Sequence, residues 1–113
     1  MEPHVVSLPT LAEYAAGGIV SKVVHESREH RTVLFTFDAG QELTEHRASR
    51  AAILHVIEGN ATITLGGTAH VVARGGWVYM PRDLVHAVRA NTKLALLLTL
   101  LGSARENVVD SEP

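Results

Sequence analysis

The chain has 113 residues, 46% of them hydrophobic and 19% charged, with a formal net charge of -2 and a pI near 6.4. That length accommodates one domain and one core, and the balance is that of an ordinary globular protein without a disorder signature. The near-neutral charge gives no electrostatic case for nucleic acid or an anionic membrane surface, and the absence of cysteine excludes disulfides and thiolate metal sites.

Taken in chain order, Ser7 to Tyr14 reads as a short helix or turn that Thr10 caps, with Gly17-Gly18 ending it. The periodicity then changes to two. Ile19–Glu26 reads as a strand, 27–30 as a polar turn, and 31–38 as the hairpin partner. Ala39-Gly40-Gln41 makes the next turn, before strands over 44–48 and 51–58. Gly59-Asn60 and Gly66-Gly67 punctuate strands at 61–65 and 68–73. Trp77–Met80 follows Gly75-Gly76, and Pro81-Arg82-Asp83 turns the chain into a strand over 85–89. Leu94–Leu101 is the last strand, and 105–113 reads as a polar tail that frays, leaving a core barrel over about 19–101 within a single domain.

About nine or ten short strands with almost no helix predict an all-β sandwich or barrel. The run LALLLTLL is too apolar for a strand with one wet face, so it lies between buried surfaces or at a subunit contact. It is also far short of the roughly 20 apolar residues that span a bilayer. MEPHVVSLPTLAEYAAGG does not read as a secretory leader, so the expected location is cytoplasmic. No G-x-S-x-G element, phosphate loop or aromatic stacking platform is present.

Two frames carry the chemistry. In the first, Gly40, His46 and Gly59 match the spacing of the first cupin motif, with Ala48 at its second histidine and Ala52 at its glutamate. In the second, Gly75, Pro81 and His86 match the second motif, with Asp83 at a glycine position and Asn91 one place late. Over roughly residues 30–101 the chain therefore resembles the small single-domain members of the cupin superfamily, the RmlC-like conserved barrels, with a degenerate first motif. The resemblance implies a double-stranded β-helix or jelly-roll barrel, often dimeric, with a small-molecule pocket at one open end. In complete motifs that pocket holds a divalent metal (Zn, Fe, Mn or Ni) through three histidines and a glutamate.

His46 and His86 are the expected ligands, and a stable site needs a third. Alternation puts Glu42 and Thr44 on the His46 face if the strand has no bulge, so Glu42 is the first candidate and His55, one residue out of phase, the second. Tyr79 either projects toward the same pocket as a catalytic partner of the two histidines or packs in the barrel wall. Trp77 is expected at a rim or interface. Arg47, Arg50, Arg82 and Asp83 lie in loops near the open end, and His4, His25, His30 and His70 are expected at the surface. Three functions stay open. One is a ligand-binding cupin, with or without a metal, in which a histidine acts as a general base. The second is a non-catalytic sensing module, acting as a homodimer. The third is a dimerisation barrel whose pocket Leu54, Val56 and Val88 fill.

Overall fold

The structure is a computed structural model, and residues 2–102 are described. A single helical turn, α1 (Leu8–Leu11), is followed by nine strands: β1 (Ile19–Glu26), β2 (His30–Phe37), β3 (Glu42–His46), β4 (Ala52–Glu58), β5 (Asn60–Leu65), β6 (Thr68–Ala73), β7 (Trp77–Met80), β8 (His86–Ala90) and β9 (Leu94–Leu101). Ser7, rather than Thr10, occupies the N-cap of α1, and its side chain makes no capping hydrogen bond to the backbone. The expected tail over 105–113 lies outside the described residues. No helix among those described is long and apolar enough to cross a membrane.

The strands form two antiparallel sheets, one ordered β1-β2-β9-β4-β7 and the other β3-β8-β5-β6. This is the jelly-roll arrangement that closely spaced glycine turns and period-two patterning predict. Val33, Phe35 and Phe37 of β2, Ala52, Leu54 and Val56 of β4, and every second residue of β9 from Leu94 to Leu100 point inward. Ala61, Ile63, Val88 and Ala90 meet them from the other sheet. Each fully buried Val, Leu, Ile or Phe side chain among them contributes about 1.5–3 kcal/mol relative to leaving it in water.

The continuous apolar run of β9 has a topological cause. β9 is the middle strand of its sheet, paired with β2 on one side and β4 on the other. Its inward leucines fill the barrel, while Ala95, Leu97 and Thr99 share the outer face. Over β2 that outer face is covered: Leu34 and Thr36 are buried, and Thr36 donates to the carbonyl of Glu13 in the N-terminal segment. Over β7 it is open, and Trp77 and Tyr79 are 61% and 52% exposed.

Gly59 fixes the β4–β5 connection. Its φ is +89°, and a Cβ there would lie 2.0 Å from the carbonyl oxygen of Lys93. Only glycine satisfies both conditions.

Candidate functional site

His46 ends β3 and His86 begins β8, and the two stand opposite each other in the ladder. Their ring centroids are 4.3 Å apart with the planes tilted by 58°. Each ring is anchored locally in the same way. His46 Nδ1–H donates to the carbonyl of Thr44 at 2.8 Å, and His86 Nδ1–H donates to the carbonyl of Leu84 at 3.0 Å. A carbonyl only accepts, so Nδ1 carries the proton in each ring and Nε2 is the nitrogen left for other partners. His46 Nε2 is buried and has no hydrogen-bond partner among the described residues.

A bulge makes this convergence possible. Leu43 pairs with Val88 and His46 with His86, so β3 uses three steps where β8 uses two. The extra residue turns His46 onto the inward face shared by Leu43 and Val88. The same bulge overturns Glu42 as a nearby ligand. Glu42 pairs with Arg89 on the outward face and is exposed. His55 also points outward, paired with Trp77 and Leu97 between the inward Leu54 and Val56. Tyr79 alternates with the inward Met80 and Val78 and pairs with Ile53, so its phenol lies outside the barrel, away from both imidazoles.

The turn before His86 is built by Pro81 and Asp83. Asp83 adopts φ 68°, the left-handed region that its glycine counterpart in the resembled motif would take freely, and aspartate is among the few other residues to tolerate it. Its backbone N–H donates to the carbonyl of Ala48 at 2.9 Å, tying the β7–β8 turn to the loop after His46. Arg50, expected at the open end, is instead buried at 4% exposure. Its Nε donates to the carbonyl of Leu101 at 3.2 Å and its Nη2 to that of Gly102. Arg47, Arg82 and Asp83 are exposed beside the pair in sequence.

Below the imidazoles the interior is filled. Leu54, Val56 and Val88 are all at most 3% exposed and belong to one cluster with Met80, Leu98 and Leu100. Ala48 and Ala52 belong to it as well, so methyl groups stand inward where the resembled motif has a histidine and a glutamate. The two cavities described, of about 390 and 270 Å³, lie elsewhere, against the N-terminal segment. Burial holds the His86 imidazole below its ordinary range, the Leu84 carbonyl partly opposes this, and His46 adds to the lowering.

Two nitrogens are a start for a divalent metal, but a stable site takes three or four protein ligands. Ala48 and Ala52 offer none and Glu42 faces away. Among the described residues no group of three or more His, Asp or Glu side chains is arranged to hold a metal. The donor set does not fit a resident cation at this pair. What it offers is a hydrogen-bond acceptor, or a proton acceptor, at an inward nitrogen beside a neutral partner ring.

A further set of residues escapes a reading that takes hairpin histidines one at a time. His25 and His30, expected as separate surface residues, are half-buried and joined through ring nitrogens 3.0 Å apart. Their position on either side of a short polar turn was the available signal.

Comparison with known proteins agrees with the architecture. The Cupin domain family model matches residues 33–101. A conserved protein of unknown function from Streptococcus pyogenes superposes with a TM-score of 0.80 at 24% identity, covering 90% of each chain. A cupin superfamily protein from Desulfitobacterium hafniense gives 0.81 at 18% identity, over 91% of this chain and 94% of that one. An RmlC-like cupin from Desulfovibrio desulfuricans gives 0.75 at 29% identity, over 89% and 96%. No curated protein matches the chain. With more than half of its length matched by that model and a two-sheet barrel bringing the two motif histidines face to face, the chain belongs to the cupin domain family.

Proposed function

We propose that this cupin domain binds a small molecule at the His46/His86 pair, with His46 Nε2 accepting a hydrogen bond from a hydroxyl or N–H of the ligand. The observation that carries the reading is the buried Nε2 of His46, which has no partner in a ring whose other nitrogen is committed to Thr44. A buried polar atom left unpaired costs about 1–3 kcal/mol. A ligand donor at that position removes the cost, which makes the atom an anchor for recognition. Ala48 and Ala52, which stand at the ligand positions of the resembled motif, are apolar and buried in the core, which favours a ligand whose polar edge meets the imidazoles and whose remaining surface is apolar.

The test is ring-nitrogen NMR during titration with panels of small hydroxy acids, sugars and phenols. The expected result is a shift of the His46 Nε2 resonance with at least one class, accompanied by a higher melting temperature and lost in His46→Ala. Panels that move neither signal, or binding that survives His46→Ala and His86→Ala, overturn the reading. Stoichiometric metal at this pair in untagged protein would replace it with a metal-centred one.

The open outer face of the β9-β4-β7 region supports self-association. Ile53, His55, Leu97, Trp77 and Tyr79 share that face, and large exposed aromatic groups on a flat sheet mark a contact surface. A second copy of the chain is the proposed occupant. A binding module without turnover and a general-base enzyme share this architecture, and only the ligand separates them.

A further inference from the structure

Outside the barrel, the β1–β2 hairpin assembles a second histidine group that the interior pair does not involve. The register of this hairpin shifts between Val23 and His25, so that His25 pairs with Thr32. Without the shift, His25 would pair with Arg31 and project from the other face. The bulge therefore puts His25 on the face of Thr32 and His30, diagonal to His30 across the ladder. His25 Nδ1 and His30 Nε2 are 3.0 Å apart, with ring centroids at 5.0 Å.

The hydrogen bonds around Ser27 settle which nitrogen of His30 is open. Ser27 Oγ–H donates to Glu29 Oε1 at 3.1 Å and accepts the Glu29 backbone N–H at 3.2 Å. The hydroxyl has no second proton, so its 3.3 Å contact with His30 Nδ1 is donated by the imidazole. His30 Nδ1 is thus held by a hydroxyl that is itself held by a carboxylate, and Nε2 carries the lone pair aimed at His25. A carboxylate-backed partner on the far nitrogen is the arrangement that orients a metal-ligating imidazole. A single proton on His25 Nδ1 bridges the two rings; a cation bound to both nitrogens would sit off the line between them, with the rings turned to aim both lone pairs at it. Two nitrogens bound at about 2.0–2.1 Å to one tetrahedral ion stand roughly 3.3 Å apart, close to the separation present.

Further donors lie on the N-terminal segment. The His4 ring is 5.1 Å from that of His25, and Glu2 and His4 line the 390 Å³ cavity together with His25, His30 and Thr32. The described side chains do not yet close a three-ligand cage. Glu2 to Ser7 are exposed, Val5 at 95%, so closing a cage takes a movement of this segment and not of the barrel. This separates the hairpin from His46 and His86, whose surroundings are methyl groups.

We infer that His25 Nδ1 and His30 Nε2 form a binding site for a borderline divalent cation of the Zn²⁺ or Ni²⁺ class, completed by His4 and Glu2 and clamping the N-terminal segment to the β1–β2 hairpin. Imidazole-rich sites select this class over Mg²⁺ and Ca²⁺.

The experiment uses untagged full-length chain carrying His46→Ala and His86→Ala, so that the interior pair contributes nothing. Zn²⁺ is titrated against a chromophoric chelator, Co²⁺ is followed by its visible spectrum, and hydrogen exchange is measured over residues 2–8. The expected result is one equivalent of Zn²⁺, a tetrahedral Co²⁺ spectrum and slowed exchange in the segment. His30→Gln abolishes binding. Ser27→Ala weakens it about 10- to 100-fold, the usual loss when a ligand's supporting partner is removed. His4→Ala, in an exposed segment where it cannot unfold the barrel, weakens binding at least tenfold and removes the exchange protection. No Zn²⁺ binding in the His46→Ala/His86→Ala protein overturns the inference, as does affinity unchanged by His4→Ala or by folded His30→Gln.

Discussion

His46 and His86 repeat the same local geometry on opposite strands: each imidazole donates from Nδ1 to the carbonyl two residues before it. Each anchor fixes ring orientation through one short backbone loop, and the β3–β8 register then sets the pair at 4.3 Å. Exposed Thr44 thus acts only through its backbone, so substituting its side chain leaves the pair in place, whereas Leu84 also packs its side chain against the core. Deleting Thr44 or Glu45 would remove the extra residue of the bulge and leave His46 two steps from Leu43, still on the inward face and opposite His86.

Protonation is the first consequence that can be measured. Burial lowers the His86 pKa below its reference value of 6.5. In the unfolded chain the group binds its proton near that reference value, whereas the folded chain resists it to lower pH. Between the two, the unfolded state holds more protons, so stability falls as pH falls. The contribution is fully present above about pH 6.5 and is lost as pH drops toward the folded value, with a slope of at most about 1.4 kcal/mol per pH unit. Denaturant titrations from pH 7.5 to 5 show this decline, and His86→Gln flattens it. An unchanged slope in His86→Gln would mean that another group governs the window.

The legible part of the fold was its rhythm. Ile19–Glu26, Thr68–Ala73, Trp77–Met80 and Leu94–Leu101 form over the expected residues, because glycine turns and alternation are local signals. The remaining strands shift by one or two residues at their ends. Side-chain direction around the site was not legible in the same way. Glu42 shares a face with His46 only on an unbulged strand, and a bulge leaves no mark in period-two patterning. The sequence does place Tyr79 on a strand, but not which side of it faces in. That is fixed by pairing with Ile53 and by Met80 being drawn into the core. Arg50 read as a loop charge because its partners, the carbonyls of Leu101 and Gly102, are distant in the chain.

Glycine positions differ in a way that thermal unfolding resolves. Gly59 and Gly40 both have positive φ, at +89° and +85°, but a Cβ at Gly40 meets nothing within 4 Å. Gly40→Ala therefore costs only the left-handed backbone penalty, about 1–2 kcal/mol. Gly59→Ala adds a collision with the Lys93 backbone and costs more than about 3 kcal/mol or prevents folding. Equal destabilisation of the two variants would contradict this ranking.

Arg50 is a structural cation. Replacing it with methionine keeps much of its volume while removing its hydrogen bonds to the carbonyls of half-buried Leu101 and exposed Gly102, each worth about 1 kcal/mol net. Arg50→Met is expected to lose about that much stability, and Arg50→Lys recovers only part, since an ammonium cannot reproduce the guanidinium fork. Exposed Arg47→Met serves as the control and changes stability by less than about 0.5 kcal/mol.

The outer face of the larger sheet makes a prediction about mass. If a second copy covers Trp77 and Tyr79, light scattering gives twice the 12.2 kDa chain mass at micromolar concentration. Trp77→Glu then yields the single-chain mass while the circular dichroism of the barrel is retained. A monomeric parent protein would end this assignment. So would a Trp77→Glu variant that still dimerises.

Ala48 is the residue at which the interior pair departs from the complete motif, and restoring the ligand tests what that departure did. Ala48 is buried in the core cluster at 6% exposure, so Ala48→His overfills the site and costs about 1–3 kcal/mol in the absence of metal. It also offers a third imidazole beside two whose Nδ1 atoms are already tied to carbonyls. Three nitrogens and one open position are the donor count of a catalytic zinc site. In a His30→Ala background, which removes the hairpin group, Ala48→His is expected to bind one equivalent of Zn²⁺ where the parent binds none at this pair, and bound metal restores the lost melting temperature. Equal Zn²⁺ uptake by the two proteins would show that two histidines already suffice, and that the alanine did not silence the site.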